Sequence, residues 1–187
     1  MPPSLPRFLP LVRHAAFFPP LSCEFIRRPK VTTEDQDALI TQTLETCLNL
    51  AREADVFDEM TIQSNSSGHR LVAMARGAAA EALYILEHAE GRWMVLMLTK
   101  DRWLSESIEA EVMHNGDSLE ELIEEELIDL GLDSVEVTMQ HYRDDEFRYV
   151  FKSPITANAT DTEIATWLLG YDAAFKQLGD MTEDQEE

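Results

Sequence analysis

Five histidines are the residues in this chain best suited to metal or acid–base chemistry: His14, His69, His88, His114 and His141. No pair of them, and no histidine with a second ligand, stands at the i, i+4 spacing that puts two ligands on one helix face. His88, His114 and His141 fall at or near the ends of predicted strands, where a fold could bring them together with carboxylates around zinc. The alternative is separate surface or half-buried histidines, and the scattered spacing favours it. Cys23 and Cys47, the two cysteines, share no C-x-x-C spacing. The serines show no G-x-S-x-G elbow, and seven glycines include no phosphate-cradling loop. Asp144, Asp145 and Glu146 are a possible cation-attracting cluster, but they read first as an acidic turn. Nothing here resembles a catalytic constellation, and no cofactor is expected.

A second kind of chemistry is recognition. Trp167, Tyr171 and Phe175 recur at i, i+4, i+8, which makes either a partner groove or a core stripe. Met94, Met97, Met113 and Met139 could line an adaptable binding surface, or pack inside. Trp93, Met97, Met139, Trp167, Tyr171 and Phe175 are therefore the candidate protein-binding residues. The sequons Asn65-Ser66-Ser67 and Asn158-Ala159-Thr160 read as chance matches in an intracellular chain.

Elements must position these side chains. A first helix starts near Thr32 or Thr33 and carries Leu44, Cys47, Leu48 and Ala51 on one face, fading near Ala54. Residues 55–69 read as a loop, and 70–76 as a short strand. Leu83–His88 and Trp93–Thr99 flank Ala89-Glu90-Gly91 and predict a β-hairpin. Residues 104–114 read as a third meander strand, with Ile108, Ala110 and Val112 on one side. Ser118 and Glu121 form a capping box that opens a helix through Leu130, closed by Gly131. Its outer glutamates, Glu120, Glu121, Glu124 and Glu125, read as a solvated face. Val135, Val137, Met139 and His141 alternate, and Phe147, Tyr149 and Phe151 alternate back after Arg143-Asp144-Asp145-Glu146, predicting a second hairpin. Thr160 and Glu163 cap a last helix that ends at Gly179. The expected class is α+β: an antiparallel sheet in the order α-βββ-α-ββ-α.

The chain has 187 residues, enough for one domain and its tails, and 44% of them are hydrophobic, enough for a real core. Net charge is −21, a field that repels nucleic acid and anionic membranes and suits partners with basic segments. Three regions are expected: a Pro-rich basic N-terminal segment, 1–30; one α+β domain, 31–180; and an acidic tail, 181–187. The first carries Arg7, Arg13, Arg27, Arg28 and Lys30 against the single acid Glu24. Its prolines interrupt any signal-peptide core, while its lack of acids leaves a transit peptide open. Two cysteines in an acidic chain with no membrane-length apolar run suggest a cytoplasmic location, or an organelle stroma if a transit peptide is present.

The segments EALYILEHAEGRWMVLML, DSLEELIEEELIDLG, SVEVTMQHYRDDEFRYVFKSPI and TDTEIATWLLGYDAAFKQLG, in this order and with this acidity, resemble the type III secretion chaperone-like fold. Within it the chain looks most like YbjN-like proteins, including cyanobacterial members, over roughly residues 32–180. The resemblance implies a homodimeric, non-enzymatic module that binds a segment of a client protein, with no catalytic residues to carry over. The alternatives are a regulatory adaptor in signal transduction and a small-ligand-binding domain.

Overall fold

The computed structural model describes residues 33–65, 68–78, 80–115 and 118–178. The basic segment 1–30 with Cys23 and His14, the Asn115-Gly116-Asp117 boundary beyond Asn115, Gly179 and the acidic tail lie outside the described residues. The protein is α+β, with a six-stranded antiparallel sheet and four helices among those residues.

Helix α1 runs Thr33–Ala54. Four consecutive strands follow: β1 (Phe57–Asn65), β2 (Gly68–Ala75), β3 (Ala82–Ala89) and β4 (Arg92–Thr99). Two helices come next, α2 (Arg102–Asn115) and α3 (Leu119–Asp129), then β5 (Gln140–Arg143), β6 (Tyr149–Pro154) and α4 (Asp161–Lys176). The sheet order is β1-β2-β3-β4-β6-β5. The first hairpin turns at Glu90 and Gly91, both with positive φ (53° and 78°), the conformation a two-residue hairpin loop needs. Beyond β4 the chain leaves the sheet for two helices, and returns as β6 beside β4, with β5 outermost.

Three expectations are corrected. Residues 104–114 are helix α2, not a meander strand. Leu104 and Ile108 are buried and Val112 half-buried, a four-residue repeat that fits a helix face. Asp101 starts the helix, its carboxylate accepting from the Leu104 amide at 2.9 Å. Residues 57–65 are strand β1, not loop. It is an edge strand with a bulge between Phe57 and Met60, so its alternation is broken and its polar residues face water. The second hairpin is shorter than predicted: residues 135–139 are not part of the sheet, and the Val137 amide donates to the Glu124 carboxylate at 2.8 Å rather than to a strand. The observed order is therefore α-ββββ-αα-ββ-α rather than α-βββ-α-ββ-α.

Two predicted caps are present, those of α3 and α4. Ser118 with Glu121, and Thr160 with Glu163, form reciprocal capping boxes. Helix α3 ends in a Schellman turn, with Gly131 (φ 96°) donating to Ile128 and Leu132 donating to Leu127.

One sheet face carries the main core. Leu71, Ala73, Tyr84, Leu86, Val95, Met97 and Phe151 pack there with residues of all four helices. Helices α1 and α4 are tied by Thr43, whose hydroxyl donates to Asp161 at 2.8 Å. The opposite face has its own apolar cluster, Val72, Ile85, Leu96, Leu98 and Val150, which includes no helix residue. Register places Val72, Ile85 and Leu96 side by side across β2, β3 and β4. A Lys152–Glu87 ion pair at 3.3 Å closes that row. No described helix is long and apolar enough to cross a membrane.

Candidate protein-binding site

The six recognition candidates separate by burial. Met97, Trp167, Tyr171 and Phe175 are at most 1% exposed, so they cannot line an open surface and are corrected to core residues. The helical stripe was the core alternative: Phe175 meets Phe151 edge-on at 5.3 Å and Tyr84 at 6.3 Å. Trp93 and Met139 remain at the surface. Trp93 packs edge-on against His88 at 5.3 Å, beside a depression of about 420 Å³ that also meets Ile40 and the exposed Leu39 of α1.

Met139 lies at a second, smaller depression. A cleft of about 210 Å³ opens between α2, the start of α3 and the outermost strand. Its accessible apolar lining is the half-buried Val112 of α2 and Met139, backed by the buried Ile108, Leu119 and Phe151; Glu109 and Glu120 stand in its wall. Each element holds one side. The four-residue repeat of α2 turns Ile108 and Val112 inward, the Ser118 box fixes the first turn of α3, and β6 presents Phe151. Beside the cleft runs β5, all four of whose residues are exposed. It bonds to β6 on one side and ends the sheet on the other, so its outer backbone groups meet no other described strand.

His141 links strand and cleft. Its ring stacks on Phe151 at 4.0 Å with planes 7° apart. One ring nitrogen lies 3.4 Å from the Ser105 hydroxyl and the other 3.3 Å from Glu109. Partial burial holds its pKa below the ordinary histidine value, and Glu109 works weakly against that. The Ser105–His141–Glu109 chain has the order of a nucleophile relay, but Ser105 is wholly buried, out of reach of a substrate carbonyl. Sequence spacing misses this cluster because a strand over 104–114 would hold Ser105 and Glu109 about 13 Å apart, whereas a helix brings them within about one turn of each other.

The other chemical candidates are dispersed. His88 packs on Trp93, His114 sits in the last turn of α2, and His141 on β5. Among the described residues no three His, Cys, Asp or Glu side chains are grouped to hold a metal ion. Burial, with Asp161 nearby, pushes the Cys47 thiol up to about 12, so it stays a packed, protonated group. Asp144 organises its turn, accepting from the Glu146 and Arg148 amides at 3.0 and 2.9 Å and pairing with the Arg148 guanidinium at 2.7 Å. Glu124 is engaged too, accepting from the Val137 amide, so the outer face of α3 is only partly solvated; on another side of the helix Glu126 accepts from Gln177.

A buried carboxylate also escaped the sequence reading. Asp172 has a side chain only 3% exposed and pairs with Lys176 at 2.6 Å. Among the described residues its other oxygen and the nearby Tyr84 hydroxyl have no hydrogen-bond partner. Burial raises its pKa, with Lys176 pulling the other way. The signal was available: Asp172 continues the Ile164, Leu168 repeat of buried positions on α4. No family model, curated protein or solved structure was found that matches this chain.

Proposed function

We propose that the protein is a non-enzymatic, chaperone-like module that binds an extended segment of another protein by adding it as a strand along β5. The observation that carries this reading is the free outer edge of β5 beside an apolar cleft. Backbone pairing along the edge supplies affinity for any extended chain, and the cleft selects an apolar side chain at alternate positions. Glu109 and Glu120 in the cleft wall, in a chain of net charge −21, select Lys or Arg beside that side chain. The module acts in the cytoplasm as a homodimer, as the chaperone-like resemblance implies, with its client held by contacts and no covalent step.

The test is fluorescence-polarisation titration of labelled peptides alternating Lys with Val against a Glu/Val control, using the full chain. The Lys/Val peptide binds at low salt, the control does not, and salt weakens binding as expected for surface charge pairing. Val112→Lys fills and charges the cleft and abolishes it. Equal binding of both peptides, or a Val112→Lys variant that binds like the parent, overturns the reading. Size-exclusion chromatography with light scattering reports a dimer; a strict monomer removes the homodimer from it.

A further inference from the structure

The tip of the β5–β6 hairpin holds a bulky residue where the backbone favours glycine. Phe147 has φ 62°, in the left-handed region that disfavours a Cβ and is rare for large side chains. The turn does not need its ring. The Asp144 and Phe147 amides bond to the Arg148 and Asp144 carbonyls, and the Asp144 carboxylate accepts from the Glu146 and Arg148 amides. All of these bonds would survive Phe147→Gly. Nor is the ring buried for stability, because Phe147 is 68% exposed. A residue that strains its backbone and leaves its ring in water stabilises neither the turn nor the core.

The ring is held in place from one side. The Arg143 guanidinium lies 4.9 Å from its centroid and 5.4 Å from that of Tyr149. Arg143 makes no ion pair among the described residues, although the turn carries three acids; Asp144 and Glu146 are both taken by Arg148. An unpaired arginine beside an exposed aromatic, in a chain this acidic, has the composition of an interface hot spot.

We propose that Phe147 and Arg143 form an anchor for a segment of a partner protein in which carboxylates flank apolar side chains. The ring packs on the apolar side chains and the guanidinium forks onto a flanking acid. A polypeptide fits better than nucleic acid, because its apolar side chains can cover the ring, and a chain of net charge −21 repels a continuous phosphate backbone far more than one or two carboxylates. The proposal rests on the reading of this hairpin as a polypeptide-binding element, but uses a surface separate from the cleft.

A random-peptide phage library panned on the full chain tests it, with Phe147→Gly, Arg143→Gln and Val112→Lys as comparisons. The expected peptides carry Asp or Glu flanking apolar residues. Their affinity falls about tenfold or more in Phe147→Gly, whose melting temperature is equal to or above that of the parent because strain is relieved. Arg143→Gln loses the preference for these peptides over versions with Asn or Gln in place of the acids. Unchanged binding of these peptides in Phe147→Gly, no enrichment of acid-bearing peptides, or a lowered Phe147→Gly melting temperature each overturns the proposal. Peptides lost in Val112→Lys but kept in Phe147→Gly refute the anchor and leave the cleft reading standing. The reverse pattern refutes the cleft and leaves the anchor.

Discussion

Gly170 sits in the middle of α4, where glycine costs a helix about 1 kcal/mol relative to alanine. Gly170→Ala should therefore stabilise the protein, unless the new methyl has nowhere to go. A Cβ built there lies 2.7 Å from Leu127 Cδ2, 3.1 Å from Leu127 Cγ and 3.7 Å from the Leu127 nitrogen. Carbon atoms attract best at about 3.5–4.0 Å, so the first two contacts are repulsive. Leu127 is wholly buried, which leaves its side chain little room to yield. Overpacking of this kind costs about 1–3 kcal/mol. Set against the propensity gain, Gly170→Ala alone should destabilise by about 1 kcal/mol. Leu127→Ala should cost about 2–5 kcal/mol through its cavity, but it clears the space, and adding Gly170→Ala then restores about 1 kcal/mol. The double-mutant cycle thus predicts a favourable coupling of about 2 kcal/mol. Urea unfolding of the four proteins, followed by circular dichroism, measures it. If the two changes add within about 0.5 kcal/mol, or Gly170→Ala alone gains the full propensity term, α3 and α4 are not this closely apposed. The outcome reaches the cleft, since α3 carries Leu119 and Glu120 into its wall.

Asp172 has a folded-state pKa raised above 3.8 by burial, so the folded protein holds that proton more tightly than the unfolded chain. Its contribution is greatest in acid and is lost as pH climbs from 3.8 through the folded value. Asp172→Asn should thus gain on the parent over that climb, and paired thermal melts across pH detect a gap that stays flat if this is wrong. His141 has the opposite sign: its lowered pKa favours the neutral folded form, so stability is lost as pH falls from 6.5 towards the folded value. His141→Phe should remove that loss, and equal acid sensitivity in both proteins would contradict the burial of the ring. Ser118→Ala, which removes an N-cap hydroxyl accepting from Glu121 at 3.1 Å, should cost about 1 kcal/mol in denaturant unfolding. No change would mean that the start of α3, and with it one wall of the cleft, is held by other contacts.

Local signals in the sequence located the elements that end in strong chemistry. The two capping boxes, Gly91 in its turn and Gly131 past α3 all stand where their residue types require. Elements defined by distant partners were less legible. Strand β1 is polar because it is an edge, and its bulge breaks the alternation that would have revealed it. Helix α2 carries Ile108, Ala110 and Val112 at strand spacing and Leu104, Ile108 and Val112 at helix spacing; only the Asp101 cap and the face of the core distinguish them. The candidate site inherited that ambiguity. With α2 read as a strand, Val112 and Glu109 could not be placed beside Met139, so Met139 was found without its cleft. The aromatic stripe of α4 was visible, but periodicity alone cannot tell a groove from a core.

The bond from Thr43 to Asp161 joins residues 118 positions apart, and Lys176 reaches back to the Val56 carbonyl across 120. During synthesis, α1 and β1 to β4 leave the ribosome well before α4 exists to cover them. The inner side of that early sheet, Leu71, Tyr84, Leu86 and Met97 among its residues, must wait for the last helix. Truncation ahead of Asp161 should accordingly yield an insoluble or chaperone-bound fragment instead of a smaller folded unit, and ribosome-stalled chains should gain protease resistance only once α4 has emerged.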